Sequence, residues 1–354
     1  MNERASRGAR LLGVICLLVT LPAAAAEPHQ VPFIVGLAIT KAIAEPRGDY
    51  ENVQMIQEIN RDSFVVVKAG EVPDDAGEVR GLGITREVRM QDFRGSRVLR
   101  VYFHTSEPRQ FPGTSPTPTS VMVNELRAAG RTHVTVLDVV PQFGTTVIAH
   151  TLVGDLIRVG GGPVDLPMLV NGQRIPLRAL HVTGHLSDGD DDDDVDYYIL
   201  DDPDNPIFLK YRDQTHTSNV LKIEFPLPPA AAGSMEQQLL KHRKAVVYGI
   251  YFAFAHADIR PVSERVLKEI AQVMRANPDW KLRIDGHTDN IGGDKSNLEL
   301  SQRRSESVKT ALVKRYGIAA DRLSTGGYGA SQPQEKNDTP EGRARNRRVV
   351  LTRE

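Results

Sequence analysis

The stretch IDGHTDNIGGDKSNLELSQRR, residues 284–304, decides how the C-terminal part of this 354-residue chain folds. Just before it, Lys281-Leu282-Arg283-Ile284-Asp285 alternates polar and apolar side chains as a half-buried strand does, and Gly286 lets the backbone turn. Asp289 therefore falls just past a strand end. The loop Asn290 to Asp294 carries Gly292 and Gly293 for tight turning, and Ser296 with Glu299 fits a capping box, which predicts a helix from about Ser296 or Asn297. On that helix Leu300, Arg304 and Val308 recur at intervals of four, followed by Ala311 and Leu312, so the spacing sets Arg304 in line with the apolar stripe.

A guanidinium on such a face needs a partner. Arg303 has Glu299 four residues earlier, whereas the residues four away from Arg304 are Leu300 and Val308. Its partner must come from outside the helix, and Asp289 is the candidate in the same corner. Two readings follow: a structural salt bridge between Asp289 and Arg304, or a site for a ligand carrying both an ammonium and a carboxylate.

Four blocks, HTDNIG (287–292), NLELSQRR (297–304), RLSTGGYGASQP (322–333) and TPEGRARNRRVVL (339–351), come in an order and spacing that resembles the OmpA-like peptidoglycan-binding domain. The resemblance runs from about Val246 to the C-terminus. It implies non-covalent binding to peptidoglycan through the diaminopimelate of the stem peptide, with Asp289 taking the ligand ammonium and Arg304 its carboxylate. It further implies that Thr288, Asn297 and Arg347 line the same pocket. That chemistry is sound, since a guanidinium offers a fork of donors to a carboxylate and a helix start favours an anion. Two positions depart from the family pattern: the first strand reads Phe252-Ala253-Phe254-Ala255-His256 in place of an FDFDS-like run, and Ala330 replaces the glutamate common after GYG.

The elements expected around this corner are a lead helix Ser234 to Lys244, strand Gly249 to Phe254, helix Val262 to Ala276, strand Lys281 to Asp285, helix Asn297 to Tyr316, and strands Arg322 to Tyr328 and Arg347 to Thr352. From residue 246 to 354 this order gives an α/β sandwich of pattern β-α-β-α-β-β.

Residues 27–229 read as a β-rich domain of no recognised family, which makes the whole chain α+β. Its short strands are Pro32 to Ile39, Ser63 to Lys68, Arg97 to Phe103, His133 to Val140, Thr146 to Val153, Asp196 to Leu200, Pro206 to Tyr211 and Val220 to Phe225, with one helix at Pro118 to Ala129. An outer-membrane barrel is argued against by sparse aromatics, by interrupting prolines and by runs shorter than the ~10 residues such strands need. Pro226 to Gly233 reads as the boundary, and 230–245 as linker and short helix.

Three groups in the β-rich region were weighed for chemistry. The acidic run Asp188 to Asp204 lacks the glycine and terminal glutamate of a calcium loop and reads as solvated. His181 and His185 lie near it, but Gly184 and β-type neighbours argue against a shared helical face for a metal. Ser, His and Asp occur without a nucleophile motif such as GxSxG. The reading therefore names no catalytic residue, metal or cofactor: the protein is a binder, with a cell-wall-tethered enzyme as the alternative and an envelope protein as a further partner of the β-rich domain. From Leu240 onward 22 Lys and Arg face 14 Asp and Glu, a balance of +8 that leaves −9 for the rest of a chain of net charge −1. A basic domain suits an acidic wall polymer or nucleic acid, and secretion disfavours nucleic acid.

Secretion is read from Arg4, Arg7 and Arg10, the apolar run Leu11 to Leu21, and Ala24-Ala25-Ala26 before Glu27, a signal peptide with an A-x-A cleavage site. The single cysteine, Cys16, lies inside that run without the small preceding residue of a lipoprotein signal, so the mature chain has no disulfide to lean on. The expected location is the periplasm of a Gram-negative envelope, at the peptidoglycan and near the outer membrane. Intact-mass measurement of the native protein is expected to show loss of residues 1–26; a retained N-terminus or a lipid adduct on Cys16 overturns the assignment.

Overall fold

Among the described residues, twelve strands and two helices make up the N-terminal part: β1 (Ala38–Glu45), β2 (Gly48–Ile59), β3 (Ser63–Pro73), β4 (Val79–Arg89), α1 (Met90–Gly95), β5 (Val98–Leu99), α2 (Ser120–Ala129), β6 (Arg131–Gln142), β7 (Thr145–Arg158), β8 (Val164–Val170), β9 (Gln173–Ser187), β10 (Asp192–Leu200), β11 (Phe208–Arg212) and β12 (Thr217–Glu224). The computed structural model describes residues 31–354 except 47, 74–78, 102–108, 143–144, 229–230, 232–233 and 253–255. The expected signal segment 1–26, parts of the expected strands Arg97 to Phe103 and Gly249 to Phe254, and half of the Pro226 to Gly233 boundary lie outside the described residues.

The strands form one sheet in the order β4-β3-β2-β1-β12-β11-β10-β9-β7-β6-β5, with β8 pairing β12 and β9 off this path. Both end strands are tied by the same segment, through bridges Glu87 to Gln110 and Leu99 to Ser115. The inner face is apolar: α2 buries Met122, Val123 and Leu126 against Leu156, Val182, Leu186 and Tyr197. Phe33, Phe64 and Phe93 pack ring on ring with centroids 4.9–5.1 Å apart.

The β-rich character stands, but several strands were missed. The first, Ala38–Glu45, overlaps the expected Pro32 to Ile39 only at Ala38 and Ile39, and β2, β4, β8 and β9 have no counterpart among the expected strands. On two of them the inner face carries a polar side chain: Asn52 and Arg86 are buried on β2 and β4. A polar residue at an inward position breaks the alternation from which strands are read. Strand length was also underestimated, since β9 has 15 residues and β7 has 14, so that argument against a barrel fails. Arg178, His185, Lys210 and Arg212 are exposed on β9 and β11, beside exposed Val153 and Ile157 on β7.

The C-terminal part contains α3 (Met235–His242), β13 (Lys244–Val247), α4 (Glu264–Ala276), β14 (Leu282–Gly286), α5 (Asp294–Tyr316), β15 (Leu323–Gly327), α6 (Pro340–Asn346) and β16 (Val349–Arg353). The sheet order is β13-β16-β14-β15, with β14 and β15 parallel. Leu267, Ile270 and Met274 of α4 share a core with Val308 and Leu312 of α5 and with Leu282, Ile284 and Leu351 of the sheet. Two details of the expected β-α-β-α-β-β pattern are corrected. The first strand is Lys244–Val247, while among the described residues Phe252 makes an isolated bridge to Ile259. A further helix, α6, stands before the last strand, started by Pro340 and capped by Thr339, whose hydroxyl accepts the Gly342 N–H at 3.0 Å.

Helix α5 lies directly on two paired glycines. A Cβ on Gly286 would stand 2.3 Å from the Ser301 carbonyl oxygen, and one on Gly327, its register partner, 2.5 Å from the Gln302 nitrogen. Both clashes are with backbone, so neither can be relieved by a side-chain rotation. Gly286→Ala is expected to lower unfolding free energy by about 1–3 kcal/mol in urea titrations. Gly161→Ala, where the added methyl meets nothing within 4 Å, should stay within about 0.5 kcal/mol of the parent.

Candidate functional site

Beyond β14 the backbone remains pinned on both sides. The His287 N–H donates to the Arg348 carbonyl, the Thr288 N–H to that of Gly329, and the Tyr328 N–H to that of Gly286, each at 3.0 Å. Asp289 is thereby fixed at the mouth of the loop with only 8% of its surface exposed. Its Oδ1 accepts the Ile291 N–H at 3.0 Å, and its Oδ2 accepts from Arg347 at 2.5 Å.

The structural partner expected for Asp289 was Arg304, and this is corrected: the carboxylate pairs with Arg347. The reason lies in α5. Its buried face is Asn297, Ser301, Ser305, Val308 and Leu312, one position round from the Leu300 and Arg304 line. Ser301 and Ser305 can be buried because each hydroxyl donates back to a helix carbonyl, of Leu298 and Gln302, at 2.8 Å. Arg304 thus sits half-buried on the helix flank. There its Nε donates to the His256 carbonyl at 3.1 Å, and its guanidinium lies 4.9 Å from the Phe252 ring centroid.

The helix itself begins earlier than expected, at Asp294 behind Gly293, and the Ser296 to Glu299 capping box does not form. Asn297 is buried and donates to the carbonyls of Asp289 at 3.3 Å and Ile291 at 3.1 Å. The Thr288 hydroxyl donates to the Asp289 carbonyl at 2.9 Å. Both side chains hold the loop that presents the carboxylate.

Arg347 reaches further than the sequence indicated. Its second terminal nitrogen donates to Glu51 on β2 at 2.5 Å. Burial disfavours its charge, but Glu51 and Asp289 outweigh that and hold the guanidinium above its ordinary value. Glu51 lies almost 300 residues upstream, and nothing in its local sequence marks it.

His287, also unremarked in the sequence, stacks on Tyr328 with centroids 5.2 Å apart. Its Nδ1 is buried with no hydrogen-bond partner among the described residues.

The histidines weighed as metal ligands do not converge. His181 bonds Asp196 and His185 bonds Asp194, each at 2.9 Å. Among the described residues the grouping with metal-ligand spacing is His150, Asp188 and Asp191, which is largely exposed.

This corner, a helix seated on paired strand-end glycines with an acid at the strand end and an arginine on the helix, lies inside a match to a known family. Residues 251–347 match the OmpA family, and the C-terminal part of the chain is an OmpA family domain. Outer membrane protein Omp38 of Acinetobacter baumannii is 37% identical over 127 residues, covering 36% of this chain and 35% of that protein. Peptidoglycan-binding protein ArfA of Mycobacterium bovis is 39% identical over 127 residues, 36% of this chain and 38% of its own length. The probable lipoprotein YiaD of Escherichia coli is 37% identical over 103 residues, 29% and 47% respectively. In each case the match spans less than half of the relative.

Burial, and secondarily Arg348, push the His287 imidazole from 6.5 down to about 4. A depressed histidine binds its proton in the unfolded chain first, so its contribution is whole above pH 6.5 and is lost as pH falls through 4. Urea unfolding from pH 7 to 4 is expected to lose roughly 3 kcal/mol on this account. In His287→Asn that segment of the pH profile should flatten; an unchanged slope refutes the assignment.

Proposed function

We propose that the chain binds peptidoglycan non-covalently in the periplasm, its OmpA family domain recognising diaminopimelate in the stem peptide. Asp289 takes the free ammonium and Arg304 the free carboxylate, while Thr288 and Asn297 fix the loop between them and Arg347 braces Asp289. The β-rich region is then what the anchored protein presents to the envelope, with residues 27–229 and 246–354 as its two parts and 230–245 between them. The protein acts as a binder and has no catalytic role in this reading.

The observation that carries this reading is the occurrence of Asp289 and Arg304 on one strand-loop-helix corner inside the OmpA family match. The name of one relative, a peptidoglycan-binding protein, points the same way. Chemistry adds support: a nearly buried carboxylate with free lone pairs accepts from an ammonium, and a guanidinium with an aromatic ring beneath it is oriented for a planar carboxylate.

Asp289→Ala and Arg304→Ala are each expected to abolish retention on purified diaminopimelate-containing sacculi. Truncating one partner of such a pair costs about 2–5 kcal/mol, a loss of tens to thousands in affinity. Glu299→Ala and Arg303→Ala, both exposed on α5, should bind as the parent does. Thermal melts recorded beside the pull-downs separate this from a purely structural Asp289–Arg347 pair, for which melting temperature would fall while binding of the folded protein persisted. Equal binding to walls lacking diaminopimelate would show that the ligand is another part of the polymer.

A further inference from the structure

The proposed ammonium site is not built by the OmpA family domain alone. Arg347 spans two carboxylates end-on, one nitrogen to Asp289 and the other to Glu51, each at 2.5 Å. Glu51 stands on β2, opposite Ala42 of β1, and its backbone is held close to β3: a Cβ on Gly70 would meet the Glu51 carbonyl oxygen at 2.8 Å. The outer side of this strand pair is fixed against the C-terminal part by Ala38 and Val53 packing on Val262, and by the Tyr251 hydroxyl, 3.2 Å from the Thr40 hydroxyl of β1 and donating to Glu224 of the adjoining β12 at 2.6 Å.

We propose that Glu51 is a specificity-determining residue of the ammonium subsite, an inference that rests on Asp289 being the ligand's acceptor. Two physical effects lead there. The first is charge. Asp289 and Arg347 by themselves sum to zero, and a neutral pair offers little to a cation; Glu51 makes the trio −1. The neighbouring Lys222 and Glu224, 3.4 Å apart, add nothing net. The second is geometry. A guanidinium facing one carboxylate engages both its oxygens with two nitrogens. Glu51 draws one nitrogen away, so Asp289 is held through Oδ2 only and Oδ1 meets just the Ile291 N–H. Acceptor capacity for an incoming ammonium is thereby kept. Glu51 is itself accessible, its side chain 38% exposed, and it meets Arg347 through Oε1.

The test uses the full chain and two preparations of purified peptidoglycan, one with free amines and one with its amines acetylated by acetic anhydride. Glu51→Gln is expected to bind the free-amine wall about fivefold more weakly than the parent, the scale of a half-exposed charge. On the acetylated wall the two should be equal, and Glu51→Asp, which keeps the charge, should lose less. Tighter binding by Glu51→Gln would overturn the inference, because Glu51 would then be competing with the ligand's acid group for Arg347. So would an equal loss on both walls accompanied by a lower melting temperature, the mark of a purely structural bridge. If Glu51→Gln binds as the parent while Asp289→Ala loses binding, the site stands and Glu51's part in it does not. If Asp289→Ala also binds normally, the site itself is misassigned and this inference falls with it.

Discussion

The close approach of α5 to the ends of β14 and β15 is the constraint on which the C-terminal half of the structure depends. Two glycines in register leave room for the helix backbone, and nothing larger fits beneath Ser301 and Gln302. A helix brought this near cannot bury long side chains at the contact, so its face there is Asn297, Ser301 and Ser305 and becomes apolar only at Val308 and Leu312. The serines avoid the penalty of an unpaired buried hydroxyl by bonding within the helix. Ser301 does more, accepting the Gly329 N–H at 2.8 Å and so locking the turn after β15 to the helix. Asp289 and Arg304 inherit their positions from this seat, one from the loop before the helix and one from the flank above it.

That arrangement explains which parts could be read from the sequence. Strand, glycine turn and helix around Asp289 were legible because each has a local cause: alternation, a small residue, a long amphipathic run. The helix face was not. Serine counts as polar, so the stripe through Leu300 and Arg304 looked like the core line, when the true line runs through Ser301 and Ser305. The partner of Asp289 followed the same error. Arg347 lies on the far side of α6, and only the pairing of β14 with β16 brings it to the loop.

In the β-rich region the signal failed for a different reason. Strands with apolar inner faces, such as β6 and β12, are legible, whereas β2 and β4 bury Asn52 and Arg86 on the inner face, and the outer face of β2 places Val53 against Val262 of the C-terminal part. Such positions are decided by partners on other strands and have no local signature. The acidic run from Asp188 reads as a solvated loop, and Asp188 to Asp191 are indeed an exposed turn between β9 and β10. Asp192 to Asp194 instead open β10, where Asp194 and Asp196 bond to His185 and His181 across the strand pair.

The two regions meet through charged and hydroxyl groups as well as through the apolar packing of Ala38 and Val53 on Val262, and this has a consequence for how they are held. The Lys222 ammonium, buried and with its pKa lowered by that burial against the pull of Glu224, donates to the Tyr248 carbonyl at 2.7 Å. Arg345 donates to the Gly172 carbonyl at 3.2 Å. Tyr248 packs so closely on Gly172 that a methyl there would meet its ring at 2.7 Å. Desolvated charges of this kind contribute little net stability, but each demands its own partner in its own place. A greasy interface would let the sheet slide over the domain; this one defines a single register. Glu51 can face Arg347 only in that register, so the electrostatics of the corner at Asp289 are set jointly by β2 and by the end of α6, whose sequences are separated by most of the chain.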